Sequence, residues 1–106
     1  MMGRPARGPT VVILAVMALG LAACQPALQQ ETGIVLRIES PSLGRVDSFE
    51  LLSGDGEVLV FDASELRFRP EFPAPHLAEH QVLGDRIVVT YRIEDRRLVV
   101  TQLDDA

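Results

Sequence analysis

From Arg86 to Ile93 the chain reads Arg-Ile-Val-Val-Thr-Tyr-Arg-Ile, and an alternation with a two-residue period fits a half-buried β-strand rather than a helix. Ile87, Val89, Tyr91 and Ile93 are expected on the inner face, with Arg86, Val88, Thr90 and Arg92 outside. The same period recurs upstream. A first strand beginning at Gly33 places Ile34, Leu36 and Ile38 inward, and a second, about Val46 to Leu52, places Phe49 and Leu51 inward with Ser48 and Glu50 outward. A third, from Glu57 to about Ala63, turns Leu59 and Phe61 to the core. In a fifth, Leu98 to Leu103, the continuous run Leu98-Val99-Val100 leaves the inner face open. Turn residues separate these segments: Ser40-Pro41-Ser42-Leu43-Gly44, Ser53-Gly54-Asp55-Gly56 and Glu94-Asp95-Arg96-Arg97. The second of these lacks the succession of oxygen ligands and the closing glutamate of a calcium loop.

Between strands three and four the alternation stops. Pro70, Pro73 and Pro75 cannot donate to a ladder, which excludes a central strand there, and Phe68 and Phe72 are expected to fold down as covers over the sheet. Pro75 suits a first helical turn, Leu77 a core contact and Gly84 a helix stop, so a short helix precedes strand four. The order β-β-β-α-β-β resembles the OB-fold, a five-stranded Greek-key barrel. The fold expected is therefore mostly β, a small five-stranded OB-like barrel over residues 33–106. An SH3-like barrel and a hairpin-rich α+β domain are the alternatives. The pattern also resembles that of uncharacterised exported bacterial proteins, a likeness that carries no activity with it.

Ahead of the barrel the composition changes. Val11 to Ala23 holds no charged or amide side chain, and Arg4 and Arg7 precede it. These thirteen residues are too few to span a bilayer as a helix, which takes roughly 18 or more, and read as the apolar part of a secretion signal. The run ends in Leu21-Ala22-Ala23-Cys24, which resembles the lipobox of bacterial lipoproteins. That resemblance implies cleavage between Ala23 and Cys24, a diacylglyceryl group and further acylation such as palmitate on Cys24, and anchoring to the cell membrane or outer membrane on the extracytoplasmic side. Gln25 rather than Asp after the cysteine resembles the outer-membrane-directed members in a two-membrane cell. Cys24 is the only cysteine, so no disulfide competes for it. The division expected is a signal peptide over 1–23, a lipidated cysteine and tether over 24–32, and the barrel over 33–106.

Loss of Arg4 and Arg7 with the signal leaves eight arginines against fifteen acids, a net charge of −7 in a chain with no lysine. Such a domain repels polyanions. The outward residues of strands two and three, Ser48, Glu50, Val58, Val60 and Asp62, also lack the cations and aromatics that nucleic-acid OB-folds use. Arg45, Arg96 and Arg97 in the neighbouring loops are candidate polar contacts for a ligand, an envelope oligosaccharide among them.

The sharpest chemical pattern is His76-Leu77-Ala78-Glu79-His80. It resembles the His-x-x-Glu-His motif of inverted zinc peptidases, in which two histidines one helical turn apart bind zinc and the glutamate activates water. The resemblance makes His76, Glu79 and His80 candidate metal-site residues, with Glu71, Asp85 or Glu94 as the third ligand that a zinc site requires. No nucleophile elbow, phosphate loop or free thiol accompanies it, and no catalytic residue is assigned. The reading is a non-enzymatic, lipid-anchored envelope module that binds a protein partner or a ligand and carries no cofactor beyond its acyl chains. A zinc-binding protein centred on His76 and His80, and a glycan-binding module, are the alternatives.

Overall fold

The computed structural model describes residues 27–106; the signal segment and Cys24 lie outside the described residues. Among the described residues five strands, β1 (Gln29–Glu39), β2 (Ser48–Ser53), β3 (Val58–Asp62), β4 (Ile87–Glu94) and β5 (Arg97–Asp105), and one helix, α1 (Ala74–Leu83), follow the expected order. The strands close into a barrel in the order β1-β2-β3-β5-β4. All neighbours are antiparallel except β3 and β5, which pair in parallel through Phe61 with Leu98 and Asp62 with Val99. This is the OB-like arrangement, with α1 lying between β3 and β4 in the chain.

Closure depends on β1, whose first half pairs with β4 from Gln29–Tyr91 to Gly33–Ile87 and whose second half pairs with β2 from Gly33–Ser53 onward. Gly33 is the residue at which the strand changes partner. A Cβ there would sit 2.3 Å from the Leu52 carbonyl oxygen, so the corner needs a residue without one. β1 also begins earlier than expected: Gln29 to Thr32 are ladder residues, and the stretch read as tether up to residue 32 is cut short at Leu28.

The inward face of β1 differs from the alternation read in the sequence. Val35 is 2% exposed whereas Leu36 is 42% exposed, because the register shifts between Val35 and Arg37 and leaves Leu36 as a bulge. An extra residue reverses the parity, so Gly33 and Val35 face inward before it and Ile38 packs on the core after it. The Gln81 side-chain amide donates to the Leu36 carbonyl at 3.1 Å, tying α1 to this irregularity. A second register shift, between Thr90 and Tyr91, places Thr101 opposite no single partner, and this settles the face of β5. Leu103 and Val100 enter the core on either side of the bulge, and Val99, also fully buried, lies outside that cluster.

The expected inward positions of β2, one of the two in β3 and most of those in β4 are buried: Phe49, Leu51, Phe61, Ile87, Val89 and Tyr91 are all core residues, and Leu59 of β3 packs partly buried against them. Phe61 stacks on Phe49 with ring centroids 5.4 Å apart and meets Tyr91 edge-on at 5.0 Å. Ile93 is 52% exposed rather than inward, since it pairs with Leu98 next to the β4–β5 turn and lies beyond the packed interior. That turn places both Asp95 and Arg96 at positive φ, 49° and 63°, the backbone of a type I′ hairpin that usually takes asparagine and glycine.

The proline-rich connection behaves as a cover. Phe72 is buried and Phe68 packs partly buried on the core. α1 starts behind Pro73, carries Pro75 in its first turn and ends at Gly84 (φ 71°), whose N–H donates to the His80 carbonyl at 2.9 Å. It buries Leu77 and His80.

Candidate functional site

Two histidines four apart on a helix share one face, and the burial of α1 turns that face toward the end of β5. The β4–β5 register pairs Asp105 with Ile87, and the short Gly84-Asp85-Arg86 link brings that strand end under the last turn of α1. The result is a compact cluster. His76 Nε2 lies 2.8 Å from Asp105 Oδ1, His80 Nε2 lies 2.6 Å from the same oxygen, and the two Nε2 atoms are 3.2 Å apart.

Each imidazole is held from behind. His80 Nδ1–H donates to the Asp85 carbonyl at 3.0 Å, and His76 Nδ1 lies 3.3 Å from Glu79 Oε2. Phe72 closes the inner side, stacked on His80 at 5.6 Å and edge-on to His76 at 4.7 Å. The Arg69 guanidinium reaches across from the proline-rich segment to the Leu103 carbonyl and to Asp104 Oδ1, both at 2.8 Å, fixing the end of β5 beside the cluster. The Ala106 N–H donates to the Arg86 carbonyl at 3.2 Å. Outward, the cluster opens into a depression lined by His76, His80, Asp85, Arg86, Asp105 and Ala106.

The charges follow this geometry. The hydrogen bond to Asp105 raises the His76 pKa above its ordinary value, with Glu79 adding to it. Contact with His76, then His80, holds the Asp105 carboxyl below the usual carboxylate range. The Gln102 amide, and after it Arg69, do the same for Asp104.

Of the residues singled out in the sequence, His76 and His80 meet as expected. Glu79 joins them on the far side of the His76 ring, at Nδ1, as an orienting partner rather than beside the two Nε2 atoms. Asp85 contributes its backbone carbonyl and not its carboxylate, and Glu94 pairs with Arg92 at 2.8 Å. Neither they nor Glu71 belong to the group of convergent donor atoms, whose third member is Asp105. Asp105 reads in the sequence as part of a solvated end. Only the antiparallel register, which carries it 25 and 29 residues back to the helix, reveals it.

The three candidate arginines separate. Arg96 and Arg97 line a shallow depression on the barrel wall with Asp47, Ser48, Phe61 and Asp62, where Arg97 bonds Asp62. Arg45 stands apart, exposed and 3.3 Å from Asp47. Nothing in that depression converges as the histidines do.

Compared with known proteins, the chain matches no family model, no curated protein and no solved structure. No helix among the described residues is long and apolar enough to cross a membrane.

Proposed function

We propose that this chain is a lipid-anchored, non-enzymatic β-barrel module of the bacterial cell envelope, held on the extracytoplasmic side through acyl chains on Cys24 and working by binding a partner or ligand. The observation that carries this reading is the short stretch of chain between lipobox and barrel. Four residues separate Cys24 from Gln29, where β1 begins, and four extended residues reach at most about 14 Å. A barrel tied so closely to an acylated cysteine works at the bilayer surface. Two acyl chains, at ~0.8 kcal/mol for each buried CH₂, are enough to keep it there.

The net charge of −7 after signal removal favours a protein or cationic partner over nucleic acid. Val58 and Val60, 53% and 61% exposed on the outer β2–β3 surface, offer an apolar contact of the kind that partners cover. The test is metabolic labelling with palmitate combined with membrane fractionation. Wild type takes up label and sediments with membranes, and Cys24→Ser loses both. Label surviving in Cys24→Ser, or absent from wild type, would contradict the reading.

A further inference from the structure

We propose that His76, His80 and Asp105 form a mononuclear site for a divalent transition metal of the zinc type. This inference does not depend on the lipid anchor and rests on the arrangement of three side-chain atoms.

The carbonyl behind His80 fixes its tautomer. With Nδ1–H of His80 committed to the Asp85 carbonyl, the neutral ring turns its Nε2 lone pair toward Asp105 Oδ1, while His76 has a carboxylate at each ring nitrogen, Glu79 at Nδ1 and Asp105 at Nε2. The three facing atoms then share at most the one proton that His76 Nε2 can carry, and the His80–Asp105 approach at 2.6 Å sets acceptor against acceptor, an arrangement that costs free energy unless a cation lies between them. A proton on one nitrogen relieves part of this conflict. A metal ion relieves all of it. Histidine ligands of metals are characteristically oriented by such contacts, one to a carboxylate and one to a backbone carbonyl.

The spacing also suits an ion. The three atoms form a triangle with sides of 2.6, 2.8 and 3.2 Å. The circle through them has a radius of about 1.7 Å, smaller than zinc–nitrogen and zinc–oxygen bonds of about 2.0–2.2 Å. One ion displaced from their plane therefore reaches all three at ordinary bond lengths, and the exposed Asp105 carboxylate can swing outward to open the narrow ligand angles toward a tetrahedral arrangement. Phe72 blocks the inner side, so the ion sits toward the depression lined by Asp85, Arg86 and Ala106. That opening leaves a further coordination position for water or a donor atom of a partner. The Arg86 side of the rim favours an anionic one.

Ligand chemistry narrows the ion. Two imidazoles and one carboxylate offer too few oxygens for calcium and too much nitrogen for magnesium, while imidazole and carboxylate together suit zinc and its first-row neighbours. Glu79, which the sequence motif would make the water-activating base, is occupied behind His76 and orients it.

The experiment is zinc chloride binding to the full chain, purified in detergent and stripped with chelator, followed by calorimetry and by metal analysis after dialysis. Wild type binds one zinc per chain. His80→Gln and Asp105→Ala each weaken binding at least 100-fold, and Glu79→Gln weakens it about 10-fold while keeping the stoichiometry. Cobalt in place of zinc gives the intense visible absorption of a low-coordinate site in wild type and loses it in Asp105→Ala. His80 is buried and its replacement can disturb folding, so Asp105→Ala, at an exposed strand end and with an unchanged circular-dichroism spectrum, is the deciding variant. Wild type that binds no zinc, or Asp105→Ala that binds as tightly as wild type, would overturn the proposal. Cys24→Ser binds zinc like wild type, so failure of the anchor and failure of the metal site are distinguishable.

Discussion

Along the β4–β5 hairpin, Arg92 bonds Glu94 at 2.8 Å and Glu65 at 3.1 Å, and Arg97 bonds Asp62. At the opposite end of the same two strands, Asp105 Oδ1 meets two imidazole Nε2 atoms at 2.8 and 2.6 Å that lie 3.2 Å from each other. The first arrangement is complete: each charge has its opposite beside it, and water shares in the solvation. The second has acceptors in excess. Paired charges of the first sort contribute solubility and a few tenths of a kcal/mol each. Convergent acceptors that the fold holds in place, with Arg69 gripping Leu103 and Asp104 next door, are the ground of the proposed metal site. What separates the two places is whether each acceptor has a donor.

The largest expected effect removes the scaffold that both regions share. Val89 is fully buried on β4, between the two ends. Val89→Asp places an unpaired carboxylate in the core, at a cost above about 4 kcal/mol. A domain of this size has a margin not much larger. The variant should show no cooperative melt by circular dichroism, and a melt like that of wild type would refute the β4 packing described above.

Next comes the unequal response of the two regions to metal. Free zinc at a hundred times its dissociation constant stabilises the wild-type fold by about 2.7 kcal/mol, a rise in melting temperature of roughly 10 °C or more. Asp105→Ala should show almost none of that rise, whereas Arg97→Ala should show all of it. An equal zinc response in the three proteins would erase the distinction.

The hairpin pairs themselves have small effects. Arg97→Ala should cost less than about 1 kcal/mol near neutral pH. The Asp62 carboxyl is held below its ordinary pKa, first by the Ser64 hydroxyl and amide and then by Arg97. A depressed folded-state pKa means that this stabilisation is present at neutral pH and is lost as pH falls through that pKa, below about pH 4. Asp62→Asn should therefore flatten the acid end of the stability profile measured by urea unfolding, and an unchanged slope would remove Asp62 from the account. Of similar size and opposite sign, Arg96→Gly relieves the positive φ of the type I′ turn and should raise stability by about 0.5–1 kcal/mol.

The barrel was largely legible in the sequence because β2, β3 and most of β4 keep strict alternation, and because Gly84 and the prolines mark where the helix can lie. The two β-bulges were not legible. Leu36 and Thr101 look like ordinary strand residues, and nothing in an apolar-polar pattern announces that a strand counts one residue twice. The same limit hid the third member of the site. His76 and His80 declare themselves through helical spacing, which is local. Asp105 joins them through the β4–β5 register and the closure of the barrel, which are not, and it stands next to Asp104 in a tail that any solvated terminus could carry. The early start of β1 was hidden for a related reason: Gln29 to Thr32 are polar, and pairing with β4 alone makes them a strand.

The most direct measurement is X-ray absorption at the zinc edge on the full chain loaded with one equivalent of zinc. Two imidazole nitrogens are expected, with the outer-shell scattering that identifies histidine, and oxygen from one carboxylate at about 2.0–2.2 Å, the carboxylate contribution disappearing in Asp105→Ala. A shell of oxygen alone, as around a hydrated ion, would contradict the proposed metal site.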